Sequence, residues 1–462
     1  MSKINKFNLN PEKRLIDHIA KVRYEDLPPE AVAYCKLLII DTLGVAFPGS
    51  QAPGCPEVAD LARAWRSESG SSVLIHGDRT VPSMAAFVNS TMMHALDFDD
   101  TLDASALHTF VSVLPAALAA SESAGKMDGR KFIAALVLGV DVICRISMGI
   151  DRPLSWIRTA TCGSFGATAT ASKILGLDRD EIANALGVVY SQTSGNAQGL
   201  SEGRLVKRMQ PGFAASAGVT SAFLALKGIT GSIDFLCGPY GYYNLYEAGE
   251  FDLKPVLASL GSHYTINDLS IKPYPSCRMT HASIDAALEL RDVIGGAVED
   301  IDQIDVTASK MVTEMVGKPF VIGTNPQVDA QFSIPYTVAC TLARGDVFIG
   351  EFETGAIHDR QVKALANRVK VSVNPQLPAK DILHTKLTIK MKDGRAHGKA
   401  VNVPLGNPAK AMDTEQCREK FRKCVAYSGL DFGNAKIKEL LSMIDSLEDI
   451  QDINRLIALM LP

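Results

Sequence analysis

Aromatic side chains are scarce in this 462-residue chain, only 6% with two tryptophans, and there is no surplus of positive charge. Against 51 Asp and Glu stand 47 Lys and Arg, a formal charge of −4. Nucleic-acid binding calls for a basic face or stripe, so nucleic acid is not expected as a partner. The nine cysteines form no C-x-x-C pair, and an odd number cannot all pair within one chain; reduced thiols and a cytoplasmic location are the expectation. No uncharged apolar run reaches the roughly 18 residues of a membrane span, so no membrane partner is expected. The opening MSKINKFNLNPEKRLIDHIAK lacks the apolar segment of a signal peptide. What is plentiful is small: 36 glycines and many alanines, within an ordinary globular balance of 47% hydrophobic and 21% charged residues.

Apolar residues at three- and four-residue spacing predict helices over most of the first 260 positions, among them 30–46, 84–96, 111–125, 131–146 and 181–194. The stretch Thr159–Ser172, TATCGSFGATATAS, holds little larger than threonine except Phe165, which suits a helix at the centre of a bundle. From about residue 265 the pattern changes. Positions 301–307, 369–373 and 385–391 alternate like strands, and Lys392-Asp393-Gly394-Arg395 reads as a hairpin turn before a strand at 398–403. Helical spacing returns after Pro404. The expected fold is mainly α: a large helical domain from 1–265 and 405–462, and a smaller α+β domain over 266–404 acting as a lid.

Three polar clusters carry possible chemistry. His94-Ala95-Leu96-Asp97-Phe98-Asp99-Asp100-Thr101-Leu102-Asp103, followed by His108, crowds four carboxylates into seven positions. Asp99-Asp100-x-x-Asp103 matches a Mg²⁺-diphosphate motif, but a second metal motif is missing; no metal and no cofactor are expected. Lys207-Arg208 precedes a small-residue helix, where an anion is welcome. In Lys272-Pro273-Tyr274-Pro275-Ser276-Cys277-Arg278-Met279-Thr280-His281, Cys277 and His281 stand four apart on one helical face. That pair is a weak nucleophile signature and more often packing. No dinucleotide fingerprint, P-loop or nucleophile elbow is present. Cofactor-free acid/base chemistry on an anionic substrate is what these residue types support.

These motifs, together with Cys162-Gly163-x-Phe165-Gly166-Ala167, Ser172-Lys173-x-Leu175-Gly176-Leu177 and Ala330-Gln331-Phe332-Ser333-Ile334, stand in an order and spacing that resembles the MmgE/PrpD family from about Ile16 to about Ile450. The resemblance implies proton transfer at a carbon next to a carboxylate of a small polycarboxylate, without metal or organic cofactor, in a homodimer with the site between two domains. Carried over by position, it implies His108, Lys207, His281 and Asp97 as catalytic and Thr101 and Lys272 as substrate-binding; Arg158, Cys277 and Arg278, which stand among these positions, are further substrate-binding candidates by their own chemistry. Two departures stand out. Ile157-Arg158 occupies a place where the family often has His-Pro, and Cys277 replaces a histidine of the decarboxylating members. A dehydratase is the leading expectation, with an epimerase, an isomerase, a decarboxylase of a related polycarboxylate, or a non-catalytic ligand-binding relative as alternatives.

Overall fold

A computed structural model describes residues 10–152 and 156–462 and is mainly α. The predicted helices form with ends displaced by a few residues: Pro29–Gly49, Pro82–His94, Phe110–Ala124, Gly129–Met148, Arg158–Leu175 and Arg179–Tyr190. Three of the N-terminal displacements follow a cap or proline. Asp128 accepts from the Lys131 amide and so starts its helix two residues before the predicted 131, while Pro29 and Pro82 open theirs at positions where no amide is needed.

The small-residue segment lies within Arg158–Leu175, and from Thr159 to Ser172 every side chain is buried. A Cβ on Gly166 would stand 2.7 Å from the Gly139 carbonyl oxygen, and one on Gly218 would stand 2.6 Å from the Ala167 Cβ. Backbones of three helices approach at distances that only hydrogen or methyl side chains permit, which accounts for the glycine and alanine surplus.

A short hairpin in the first half, β1 (Arg66–Ser72) with β2 (Arg79–Thr80), was not expected from the sequence, because RSESGSS has no apolar alternation to announce it. The main sheet has order β4-β3-β5-β6, from β3 (Ile301–Ala308), β4 (Val369–Val373), β5 (Thr385–Met391) and β6 (Ala396–Val401). Strand β3 runs parallel to β4 and antiparallel to β5, and the Lys392–Arg395 turn sends β6 back along β5, with Gly394 at φ 89°. The last strand begins two residues before the predicted 398.

Buried apolar side chains fall into two clusters. One draws on residues 15–271 and 412–460 together with Ile349; the other spans Tyr274 to Val401 and packs the sheet against His281–Val293 and Ile334–Arg344. The helix Thr414–Ser428 therefore belongs with the first cluster, through Cys417, Phe421 and Cys424.

One helix, Pro29–Gly49, is by length and composition apolar enough to cross a membrane, although Lys36 and Asp41 interrupt it. Of its 18-residue apolar stretch 78% is buried inside the protein, in the first apolar cluster. All nine cysteines are free thiols.

Candidate active site

The carboxylate-rich segment follows directly on the helix Pro82–His94 and wraps below the start of Phe110–Ala124. Its four carboxylates diverge. Asp100 accepts from the Thr109 amide and hydroxyl at 2.9 and 2.8 Å and from the Phe110 amide at 3.0 Å, so it caps the helix beginning there. Asp103 takes the Arg278 guanidinium, the Ser270 hydroxyl and the Asn407 amide. Asp97, at φ 54°, sits in the left-handed region that aspartate tolerates better than most residues. That turn directs its carboxylate to Lys207 Nζ at 2.8 Å and Lys272 Nζ at 3.3 Å. The divergence explains why Asp99-Asp100-x-x-Asp103 is not a diphosphate-metal motif here: each side chain already has a separate task.

Asp99 is fully buried between two imidazoles. Its Oδ2 lies 2.8 Å from His94 Nδ1 and 3.2 Å from His108 Nδ1, while the Asp100 carbonyl oxygen lies 2.6 Å from the same His108 nitrogen. Both neighbours of His108 Nδ1 are acceptors, so this nitrogen carries the proton and Nε2 is left as the basic atom. Burial opposes the charge on Asp99, but His108 and His94 together outweigh it and hold the carboxyl well below its usual range. Burial also pushes the His94 imidazole down to about 4, against the pull of Asp99. His94, Asp99 and His108 are the one set among the described residues whose donor atoms, all within 4.8 Å, could hold a metal ion. The hydrogen bonds on Asp99 Oδ2 already account for their closeness.

These residues open onto a cavity of about 110 Å³, room for a small molecule. Its wall includes His94, Asp97, Thr101, His108, Arg158, Lys207, Lys272, Cys277 and Arg278, drawn from segments almost two hundred residues apart. Eight of the nine site residues expected from sequence thus meet in one place. His281 is the exception and is corrected by its surroundings. It is wholly buried behind Arg278, which lies 3.2 Å from its Nδ1, while its Nε2 lies 3.2 Å from the Ser276 carbonyl oxygen. Burial and then the Arg278 charge hold this imidazole well below its usual range. With both nitrogens engaged, the ring braces Arg278 and does not line the cavity.

Arg278 in turn is committed to Asp103, the Leu405 carbonyl and Ser270, so its donors serve the protein scaffold. Burial pushes the Cys277 thiol up to about 11, so it is a protonated wall group, unlike an activated nucleophile. Thr101 pairs through its backbone with Ser270, tying the Asp97 segment to the strand-like approach of Lys272. Gln331 completes the tie, donating to the carbonyls of Leu96 and Pro275 at 2.9 and 3.0 Å.

Two supporting residues were not singled out from sequence. Lys420 Nζ donates to the carbonyls of Phe98 and Lys272, both at 2.8 Å, lies 3.7 Å from the centre of the Phe98 ring, and pairs with Asp41 at 2.6 Å. A lone carboxylate inside the apolar helix Pro29–Gly49 was the available signal, since such a residue is rarely buried unpaired. Lys420, in a helix rich in exposed charges, gave none.

A mainly helical protein with a small cavity walled by an oriented imidazole and paired lysines is the class these features define. Residues 13–254 match the MmgE/PrpD N-terminal domain and residues 274–444 the MmgE/PrpD C-terminal domain, and the chain belongs to that family. Among its relatives, the cis-aconitate decarboxylase of Homo sapiens is 27% identical, covering 94% of this chain and 91% of that protein. That of Mus musculus is 28% identical over 92% and 88%. The 2-methylcitrate dehydratase of Cupriavidus necator is 24% identical over 90% of each chain. The family's C-terminal match runs on to residue 444, past the boundary expected at 404, although the residues beyond 412 pack in the first apolar cluster.

Proposed function

We propose that this protein is a lyase that moves a proton at a carbon adjacent to a carboxylate of a small polycarboxylate, with dehydration as the outcome. The observation that carries the reading is the convergence of His108, with its Nδ1 proton fixed by Asp99 and the Asp100 carbonyl, and of Lys207 and Lys272 on one cavity. The ammonium groups hold the substrate carboxylate and stabilise negative charge that develops as the neighbouring carbon loses its proton. His108 Nε2 takes that proton and returns one to the leaving hydroxyl, a contribution of about 10² to 10⁴-fold for a positioned acid/base. Asp97 holds both lysines at the same side of the cavity.

Decarboxylation is the second reading, and the names of the relatives at 27 and 28% identity favour it. Ile157 and Cys277 in the cavity wall weigh against it, because neither can carry a proton in the manner of an imidazole at neutral pH. A substrate panel in deuterated water separates the outcomes. Loss of water without net uptake of deuterium supports dehydration; release of carbon dioxide with one deuterium taken up at the carbon that held the carboxylate supports decarboxylation; exchange with nothing eliminated supports epimerisation. No turnover and no exchange by the wild type, with ligand still bound, would turn the protein into a binding relative. Within the same reading we place a homodimer, for which sedimentation at micromolar concentration is the test.

A further inference from the structure

The charges on the cavity wall are unevenly answered. Lys207 and Lys272 share the single carboxylate of Asp97, which leaves one positive charge between them. Arg278 is neutralised by Asp103. The guanidinium of Arg158, the first residue of the helix Arg158–Leu175, donates among the described residues to two backbone carbonyls, those of Arg152 at 2.7 Å and Ser105 at 3.4 Å. Among the described residues no carboxylate forms an ion pair with it, and Glu247 feels its charge only at longer range. Asp99 lies behind the wall and faces the two imidazoles. Two positive charges therefore remain for a ligand to meet, one at the lysine pair and one at Arg158. His108 belongs to the same stretch of wall as Arg158, since its amide donates to the Thr159 hydroxyl at 3.1 Å.

Much of the remaining wall is apolar. Ile157, Leu200, Met315, Phe332 and Ile382 contribute hydrocarbon or ring surface and no cation. A third ionised carboxylate placed against them would lose its hydration without gaining a partner. A methyl or other short alkyl group in that place loses nothing and gains burial.

We propose that the cavity takes a dicarboxylate bearing a short apolar arm, with one carboxylate on Lys207 and Lys272, the other on Arg158, and the reacting carbon between them facing His108. This deepens the function proposed above and rests on it for the chemistry, while the ligand class is tested by binding alone. Titration calorimetry at pH 7.5 would compare succinate, 2-methylsuccinate, butanoate and propane-1,2,3-tricarboxylate as inert probes. In the wild type, 2-methylsuccinate binds about fourfold tighter than succinate, the gain expected from one buried methyl-sized group, and tighter than the tricarboxylate.

Arg158→Met weakens 2-methylsuccinate roughly tenfold or more while leaving the weak binding of butanoate unchanged, as expected when one of two charge contacts is removed. Arg158→Lys, which keeps the charge and is less disruptive to folding, recovers part of that loss; unchanged melting temperatures certify both variants. Tightest binding of the tricarboxylate, or equal binding of 2-methylsuccinate to wild type and Arg158→Met, overturns the proposal. Because these probes have no leaving group, their binding is independent of turnover. A protein that binds them as stated yet exchanges no proton refutes the lyase and leaves the ligand class standing.

Discussion

Lys272 grips Asp97 twice, donating to its backbone carbonyl at 2.9 Å and standing 3.3 Å from its carboxylate. A lysine only 1% exposed is thereby fixed to the turn that also aims Asp97 at Lys207. The two cations and their shared anion form one unit, braced from below by Lys420 through the Lys272 carbonyl.

Asp97→Asn is therefore expected to remove activity mainly through KM, because the lysines lose the charge that holds them side by side, with a further fall in stability. Burial opposes the Asp97 charge, but Lys207 and Lys272 hold its carboxyl far below the usual range, so the stability it gives is present above the unfolded value near 3.8 and lost only as the pH falls below it. Steady-state kinetics at neutral pH would check the KM effect; wild-type KM in the variant would refute it.

Asp99→Asn keeps the shape but removes the carboxylate that fixes the tautomer of His108. A fall in kcat of about 10²-fold or more is expected, with KM changed far less. Wild-type kcat in a folded variant would reduce Asp99 to a packing role.

Between pH 6.5 and about 4 the native state should weaken. His94, pushed by burial to about 4, and His281, held well below 6.5 by burial and Arg278, both stay neutral when folded. The unfolded chain binds those protons first, so stability is full above pH 6.5 and declines as pH drops through that window. Asp41, which burial raises to about 6, acts in the opposite sense there, its protonation favouring the folded state. Thermal melts of wild type and His281→Gln across this range should give a shallower slope for the variant.

Lys420→Met strands the buried Asp41 carboxylate and is expected to cost about 3 to 5 kcal/mol near pH 7.5. Adding Asp41→Leu should recover a large part of that loss, a coupling that chemical denaturation of the four proteins in a double-mutant cycle would measure. Additive losses would show that the pair does not act as one.

Gly166→Ala should destabilise by about 1 to 3 kcal/mol by overpacking, since its Cβ would press on the Gly139 carbonyl and on Ile143. Gly355→Ala is the control, with nothing within 4 Å of an added Cβ, and should leave the melting temperature in place or raise it slightly.

The order of helices, the four-stranded alternation and the small-residue core helix were legible in the sequence because each is set by local periodicity and side-chain volume. So was the gathering of Asp97, His108, Lys207 and Lys272, through motifs whose spacing resembles a family. The β1–β2 hairpin was not, because its polar residues carry no alternation. Nor was the division of labour among carboxylates. Asp97, Asp99, Asp100 and Asp103 are chemically identical in the chain, and only their packing makes one a lysine clamp, one a histidine orienter, one a helix cap and one the partner of Arg278.

His281 shows the same limit from the other side. By sequence it is an imidazole near a lysine and an arginine, a fair candidate to move a proton; in the fold it is sealed behind Arg278 with both nitrogens engaged. Sequence determined which functional groups this protein possesses and the helices that carry them, since composition and periodicity are local properties. Which group meets the cavity, which charges are answered within the protein and which, like Arg158, wait for a ligand were decided only by the tertiary structure, because burial, hydrogen-bond partners and net local charge arise from segments brought together across the chain.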